Sequence, residues 1–134
     1  MAAHLEDVKE HPVPDFEALA QRYIDTWNTT DPDARRQAVE DLWAPDAVYV
    51  DPMADARGHD AIDATIAAVQ AQFPDFVFRL AGPVDAHHQQ ARFGWELGPR
   101  GADAPVVGFD VAVVDGHGRL RSVLGFLDRV PAGA

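Results

Sequence analysis

The chain contains no cysteine among its 134 residues. Disulfide cross-links and thiolate chemistry are excluded with it. Positive charge is scarce: 11 Lys and Arg stand against 22 Asp and Glu, a net charge of −11 with the histidines neutral. Nucleic acids and anionic membrane surfaces are recognised through a basic footprint, which this composition does not supply. No stretch approaches the roughly 18 apolar residues of a membrane span. The opening Met1-Ala2-Ala3-His4-Leu5-Glu6-Asp7 lacks the basic and apolar regions of a secretory leader. A cytoplasmic protein without nucleic-acid or membrane partners is therefore expected. There is also no phosphate loop, dinucleotide fingerprint or nucleophile elbow.

What is present is an ordinary globular composition, 47% hydrophobic and 25% charged. The length suits one domain that buries a core without cross-links. Residues 1–14 are polar and read as a flexible N-terminal segment; residues 15–134 read as one domain. Asp15 is placed as a helix N-cap, followed by an apolar stripe of Phe16, Leu19, Ala20, Tyr23 and Trp27. Asn28-Thr29-Thr30 ends that helix. Asp31-Pro32 supplies a cap and a first-turn proline for a second helix, with Ala34, Ala38, Val39, Leu42 and Trp43 as its stripe. Ala44-Pro45-Asp46 stops it. A short strand over Ala47–Asp51 and a loop over 52–58 follow. A third helix begins near Gly58-His59-Asp60, carries Ile62, Ile66, Val69 and Phe73, and ends at Pro74.

From Phe76 onward the period changes from helical to alternating. One strand starts there, with a bend or bulge at Gly82-Pro83. A second runs from His87 to Leu97 and a third from Val106 to Val114. A turn at Asp115-Gly116-His117-Gly118 leads into the last, from Leu120 to Val130. This order predicts an α+β fold: a cone-shaped barrel with three N-terminal helices packed on the concave face of a curved, mainly antiparallel sheet. Three helices cannot seal such a sheet completely, so a pocket between the layers is expected, and it is the default ligand site.

One residue conflicts with its strand. Asp110 lies between Phe109 and Val111 in Val106–Val114, where a carboxylate needs a task or a partner. Strand parity groups it with Gly108 and Ala112, small neighbours that leave room for a ligand. Desolvation there would raise its pKa and keep it protonated near neutrality. The alternative is a buried carboxylate paired with Arg92, Arg121 or a tyrosine. Asp51 ends the first strand before Pro52, where it either faces a pocket mouth as an ionised proton shuttle or simply caps the turn. The residues expected to line the pocket are Trp27, Val106, Gly108, Ala112, Trp95 and His59.

The layout, with Asp46-Ala47-Val48-Tyr49-Val50-Asp51-Pro52, Gly58-His59-Asp60-Ala61-Ile62 and the closing hairpin, resembles the nuclear transport factor 2-like superfamily over roughly residues 15–130. Within it the chain is similar to the SnoaL-like polyketide cyclases and the bacterial ketosteroid isomerases. The isomerases place a tyrosine in an Arg-Tyr-Ile context, matched by Arg22-Tyr23-Ile24. Their general-base aspartate precedes a proline, matched by Asp51-Pro52, and their second aspartate is matched by Asp110-Val111. The resemblance implies a cofactor-free isomerase or cyclase acting on a hydrophobic carbonyl compound, with Asp51 moving the proton and Tyr23 and Asp110 stabilising an oxyanion. Tyr23 equally suits a plain core role. A non-catalytic ligand-binding or dimeric accessory protein is the rival reading.

A lesser alternative is an Asp-Arg-Asp arrangement like that of limonene epoxide hydrolase, with Arg92 between the aspartates; strand parity puts Arg92 and Glu96 on the face away from Phe93 and Trp95. No metal site is expected. His87 and His88, adjacent in a strand, point to opposite faces, and His4, His11 and His117 lie in tails or turns. Val107, Phe109, Val111 and Val113 make the outer sheet face more apolar than a solvated face should be, which suggests a homodimer.

Overall fold

The computed structural model describes residues 15–131. The segment expected to be flexible, 1–14, lies outside the described residues, as do 132–134. The elements are α1 (Phe16–Asn28), α2 (Pro32–Leu42), β1 (Trp43–Asp51), β2 (Ala54–Arg57), α3 (Gly58–Gln72), β3 (Phe76–His87), β4 (Gln90–Pro99), β5 (Val106–Val114) and β6 (Leu120–Arg129). The six strands form one sheet in the order β2-β1-β6-β5-β4-β3. β1 and β6 run parallel and every other pair antiparallel. The α+β plan of three helices on one face of a mainly antiparallel sheet is thus what forms. β2 and β3 stay at opposite edges, so the sheet is open rather than closed into a barrel.

Local chemistry explains most boundaries. The Asp15 carboxylate accepts from the Ala18 N–H at 3.1 Å and starts α1. Asp31 does the same for α2 through Ala34, at 2.9 Å, with Pro32 at the first helical position. At the end of α1 the Asn28 side chain acts like a strand residue. Its amide donates to the Phe78 carbonyl at 2.9 Å, and its oxygen accepts from the Phe78 N–H at 2.8 Å. This fastens α1 to β3.

Four expectations need correction. β1 starts at Trp43 rather than Ala47, because Trp43 already pairs with Leu120 and the ladder tolerates Pro45 through an irregularity between Trp43 and Val48. The loop over 52–58 contains β2, an edge strand paired with β1 from Asp51↔Ala54 to Val48↔Arg57. Its sequence, Ala-Asp-Ala-Arg, has no β-branched or aromatic residue to announce it. Ala34 faces solvent and Arg35 is buried instead, held by Asp63 at 2.9 Å and Gln70 at 3.0 Å on α3. His87 ends β3 and His88 turns the chain in a left-handed conformation (φ 54°). They do not point to opposite faces of one strand: their Nδ1 atoms lie 3.1 Å apart, exposed. Among the described residues no group of three or more His, Cys, Asp or Glu side chains is placed to hold a metal ion.

Both ends of the closing half behave as read. The bulge expected at Gly82-Pro83 falls between Ala81 and Asp85, with Gly82 at φ 81°. β5 alternates strictly between buried and half-buried positions, with Val106, Gly108, Asp110, Ala112 and Val114 facing inward.

Candidate functional site

The inner faces of β1, β4, β5 and β6 meet α1 and α3 around a cavity of about 570 Å³. Apolar side chains dominate its wall, among them Ile24, Trp27, Val69, Phe78, Trp95 and Leu97. The exposed Met53 and Val130 border it, so it opens between the β1–β2 turn and the end of β6. No arginine or lysine lines it among the described residues.

The polar groups cluster on the sheet wall. Tyr23 comes from the core stripe of α1, and its hydroxyl donates to Asp110 Oδ2 at 2.7 Å. Tyr49 and Asp51 are two residues apart on β1 and so share a face. The Tyr49 hydroxyl donates to Asp51 Oδ2 at 2.6 Å. Asp51 Oδ1 accepts the Met53 N–H at 2.8 Å, which fixes the turn through Pro52. Asp51 thus caps the turn and also borders the cavity.

The strand order brings the two carboxylates into one row. β6 lies between β1 and β5, with Val50 opposite Leu124 and Asp110 opposite Gly125. Gly125 separates the aspartates. A Cβ there would stand 2.8 Å from Asp110 Oδ1 and 3.2 Å from Asp51 Cβ. Only glycine leaves the row open.

The electrostatics follow from burial. Asp110 is 2% exposed, and desolvation pushes its carboxyl from 3.8 up to about 6. The hydrogen bond from Tyr23 opposes that rise, and so does the nearby Trp95 indole N–H, which approaches without forming a bond. The Asp51 charge adds to the rise. Burial, then the Asp110 charge, holds the Tyr23 hydroxyl well above the ordinary phenol range. The same two causes act on Tyr49, joined by its bond to Asp51. Both phenols thus stay neutral donors.

Comparison with known proteins identifies the family. The sequence profile of the SnoaL-like domain matches residues 20–123. A solved structure of a candidate isomerase of the SnoaL-like family from Agrobacterium tumefaciens strain C58 is 37% identical, covers 90% of this chain and 98% of its own, and superposes with a TM-score of 0.80. The chain belongs to the SnoaL-like family. A candidate polyketide cyclase from Sinorhizobium meliloti, 22% identical with a TM-score of 0.65 over 84% of this chain and 94% of its own, shares the fold. So does a SnoaL-like protein of unknown function from Burkholderia thailandensis, 18% identical with a TM-score of 0.67 over 87% and 98%. A search of curated proteins returns no match.

In this SnoaL-like protein the site residues read from the sequence divide into three groups. Tyr23, Asp51, Asp110, Trp27, Trp95 and Val106 border the cavity. Gly108 and Ala112 face inward without reaching it, because the Trp95 ring fills the space over Gly108 and Ala112 is packed in the core. His59 does not reach the rim; its Nε2 lies 2.8 Å from the Trp43 carbonyl and ties α3 to β1. Arg92 is exposed and paired with Asp85 at 3.0 Å, away from both aspartates, so the Asp-Arg-Asp arrangement does not form. Asp110 has a tyrosine for a partner and no arginine.

Sequence reasoning missed Tyr49 and Gly125. Tyr49 shares parity with Asp51, and Gly125 interrupts an apolar strand, a common sign of close approach.

Proposed function

We propose that this protein catalyses cofactor-free acid–base chemistry on a hydrophobic molecule bearing a carbonyl group, as an isomerase or an aldol-type cyclase. In this reading Asp51 moves the proton, and Tyr23 with Asp110 stabilises negative charge on the carbonyl oxygen. The observation that supports it is the seating of two carboxylates, each with a tyrosine hydroxyl on it, in the wall of one apolar cavity. Its volume of about 570 Å³ lies in the range of small-molecule sites. The similarity to a candidate isomerase and a candidate cyclase supports the same class.

The acid form of Asp110 is the one that donates to a developing oxyanion. With its carboxyl near 6, turnover is expected to fall as pH rises through that value. Mass spectrometry of small molecules that copurify with the native protein would identify the substrate. Asp51→Asn should then lower its turnover by about 10² or more. Unchanged turnover in that variant would refute the reading.

One observation favours a non-catalytic binding module. Both phenol protons are held by carboxylates of the protein, so the four polar groups are satisfied in two pairs, as structural hydrogen bonds are. In that case the Asp51 variant retains the copurifying ligand and no conversion is found in either protein. For both readings we infer a homodimer through the outer face of the sheet. Phe109 and Val111 pair there with Phe126 and Leu124, which are 56% and 43% exposed.

A further inference from the structure

Asp51 is a carboxylate in the wall of an apolar cavity without a basic partner. It is half-buried beside Met53, which is 76% exposed at the cavity mouth. Among the described residues no arginine, lysine or histidine forms a salt bridge with it. Its hydrogen bonds come from neutral donors, the Tyr49 hydroxyl at 2.6 Å and the Met53 N–H at 2.8 Å. An ionised carboxylate offers about four acceptor sites, so these two donors leave it capacity for more.

A ligand that fills the cavity takes water away from that charge, and a charge so desolvated needs a partner. The surroundings of Asp51 say what carries the partner. A line of aromatic rings in the cavity wall starts at Tyr49, whose hydroxyl holds Asp51. Trp27 lies 5.4 Å from Tyr49, and Phe78 lies 5.4 Å from Trp27, centroid to centroid. Such a wall offers apolar surface to a flat body, and ring faces attract cations. With no lysine or arginine in the lining among the described residues, an anionic ligand meets only repulsion there. The net charge of −11 acts in the same direction from a distance.

We propose that the cavity takes a hydrophobic cation: a protonated amine on a flat apolar body, its ammonium donating to Asp51 and its body lying along the Tyr49–Trp27–Phe78 wall. The proposal rests on the reading of the cavity as a ligand site and goes beyond the reaction proposed for it. An amine held in this way occupies the carboxylate that would move the proton, so it competes with a carbonyl substrate.

The test measures, by titration calorimetry on the full chain, three probes that share one ring system: naphthylmethylamine, naphthylmethanol and naphthoate. At neutral pH the amine should bind about tenfold tighter than the alcohol, and the naphthoate about tenfold weaker than the alcohol or worse. In spectra of methyl-labelled protein the resonances of Met53 and Val69 in the cavity lining should move with the amine, and that of Leu124 on the outer face should not. In Asp51→Asn the amine should fall to within about threefold of the alcohol, with alcohol affinity kept. That variant removes one of 22 acidic residues, so a preference arising from the overall charge would survive it. If the variant does not fold, the wild-type affinities at about 0.5 M sodium chloride decide: salt screens the distant charges, and a preference of about fivefold should remain. Equal affinities of amine and alcohol, naphthoate binding as tightly as the alcohol, a preference that survives Asp51→Asn or vanishes in salt, or shifts confined to Leu124 overturn the amine site while leaving the cavity reading intact. Failure of all three probes to bind overturns both. Turnover of the copurifying substrate by Asp51→Asn bears on the reaction alone, so the two failures remain distinct.

Discussion

Replacing Asp110 with Asn tests whether this carboxylate is a strained charge in the fold. Raising a carboxyl from 3.8 to about 6 corresponds to about 3 kcal/mol disfavouring the charged form in the native state. The folded protein binds this proton more tightly than the unfolded chain does. The stability so contributed is fully present below about pH 4 and is lost as pH rises through about 6. Asn carries no charge, so Asp110→Asn lacks this dependence. Its amide can still accept from Tyr23, but an NH₂ then occupies the partnerless position of Oδ1. That costs about 1–3 kcal/mol at every pH, an offset without a slope. Urea denaturation of both proteins separates the two effects. The stability gap should move in favour of the variant by about 2 kcal/mol between about pH 4.5 and about pH 8. At a urea dependence of roughly 2 kcal/mol per molar, the midpoint difference changes by about 1 M. The remaining carboxyls are common to both proteins and largely cancel. A gap that stays constant across this range would show that burial does not raise Asp110, and the electrostatic account of the site would fail.

Other substitutions probe the supports of the cavity. Gly108→Ala drives a methyl into the Trp95 ring and should cost about 1–3 kcal/mol, with a change in near-ultraviolet dichroism; an unaltered spectrum and melt would contradict the packing. Asn28→Ala removes both bonds to the Phe78 backbone and should lower stability by about 2 kcal/mol, read from chemical denaturation. Phe126→Glu places a charge on the outer face and should convert a dimer to a monomer in sedimentation at micromolar concentration; a wild-type monomer there would sink the dimer proposal.

The sequence by itself determined the layering and the grouping of residues along β5. Helix caps at Asp15 and Asp31, the change of period at Phe76 and the bulge at Gly82-Pro83 are local signals, because they depend on neighbours within a turn or a pleat. Strand parity grouped Asp110 with Gly108 and Ala112, and the structure turns that group inward, as the alternation of Val106–Val114 shows. What parity could not supply was the partner on that face. Tyr23 and Asp110 are 87 residues apart, and their bond exists only because α1, packed against β3, lays Tyr23 over the inner face of the sheet. The row of Asp51, Gly125 and Asp110 exists because β6 inserts between β1 and β5, an order that no local pattern encodes. β2 left no trace because its small and charged residues carry no strand signal away from the β1 edge. The space that small residues at 108 and 112 promised to a ligand went instead to Trp95 and to core packing, since room beside a strand belongs to whichever side chain the neighbouring strand delivers there.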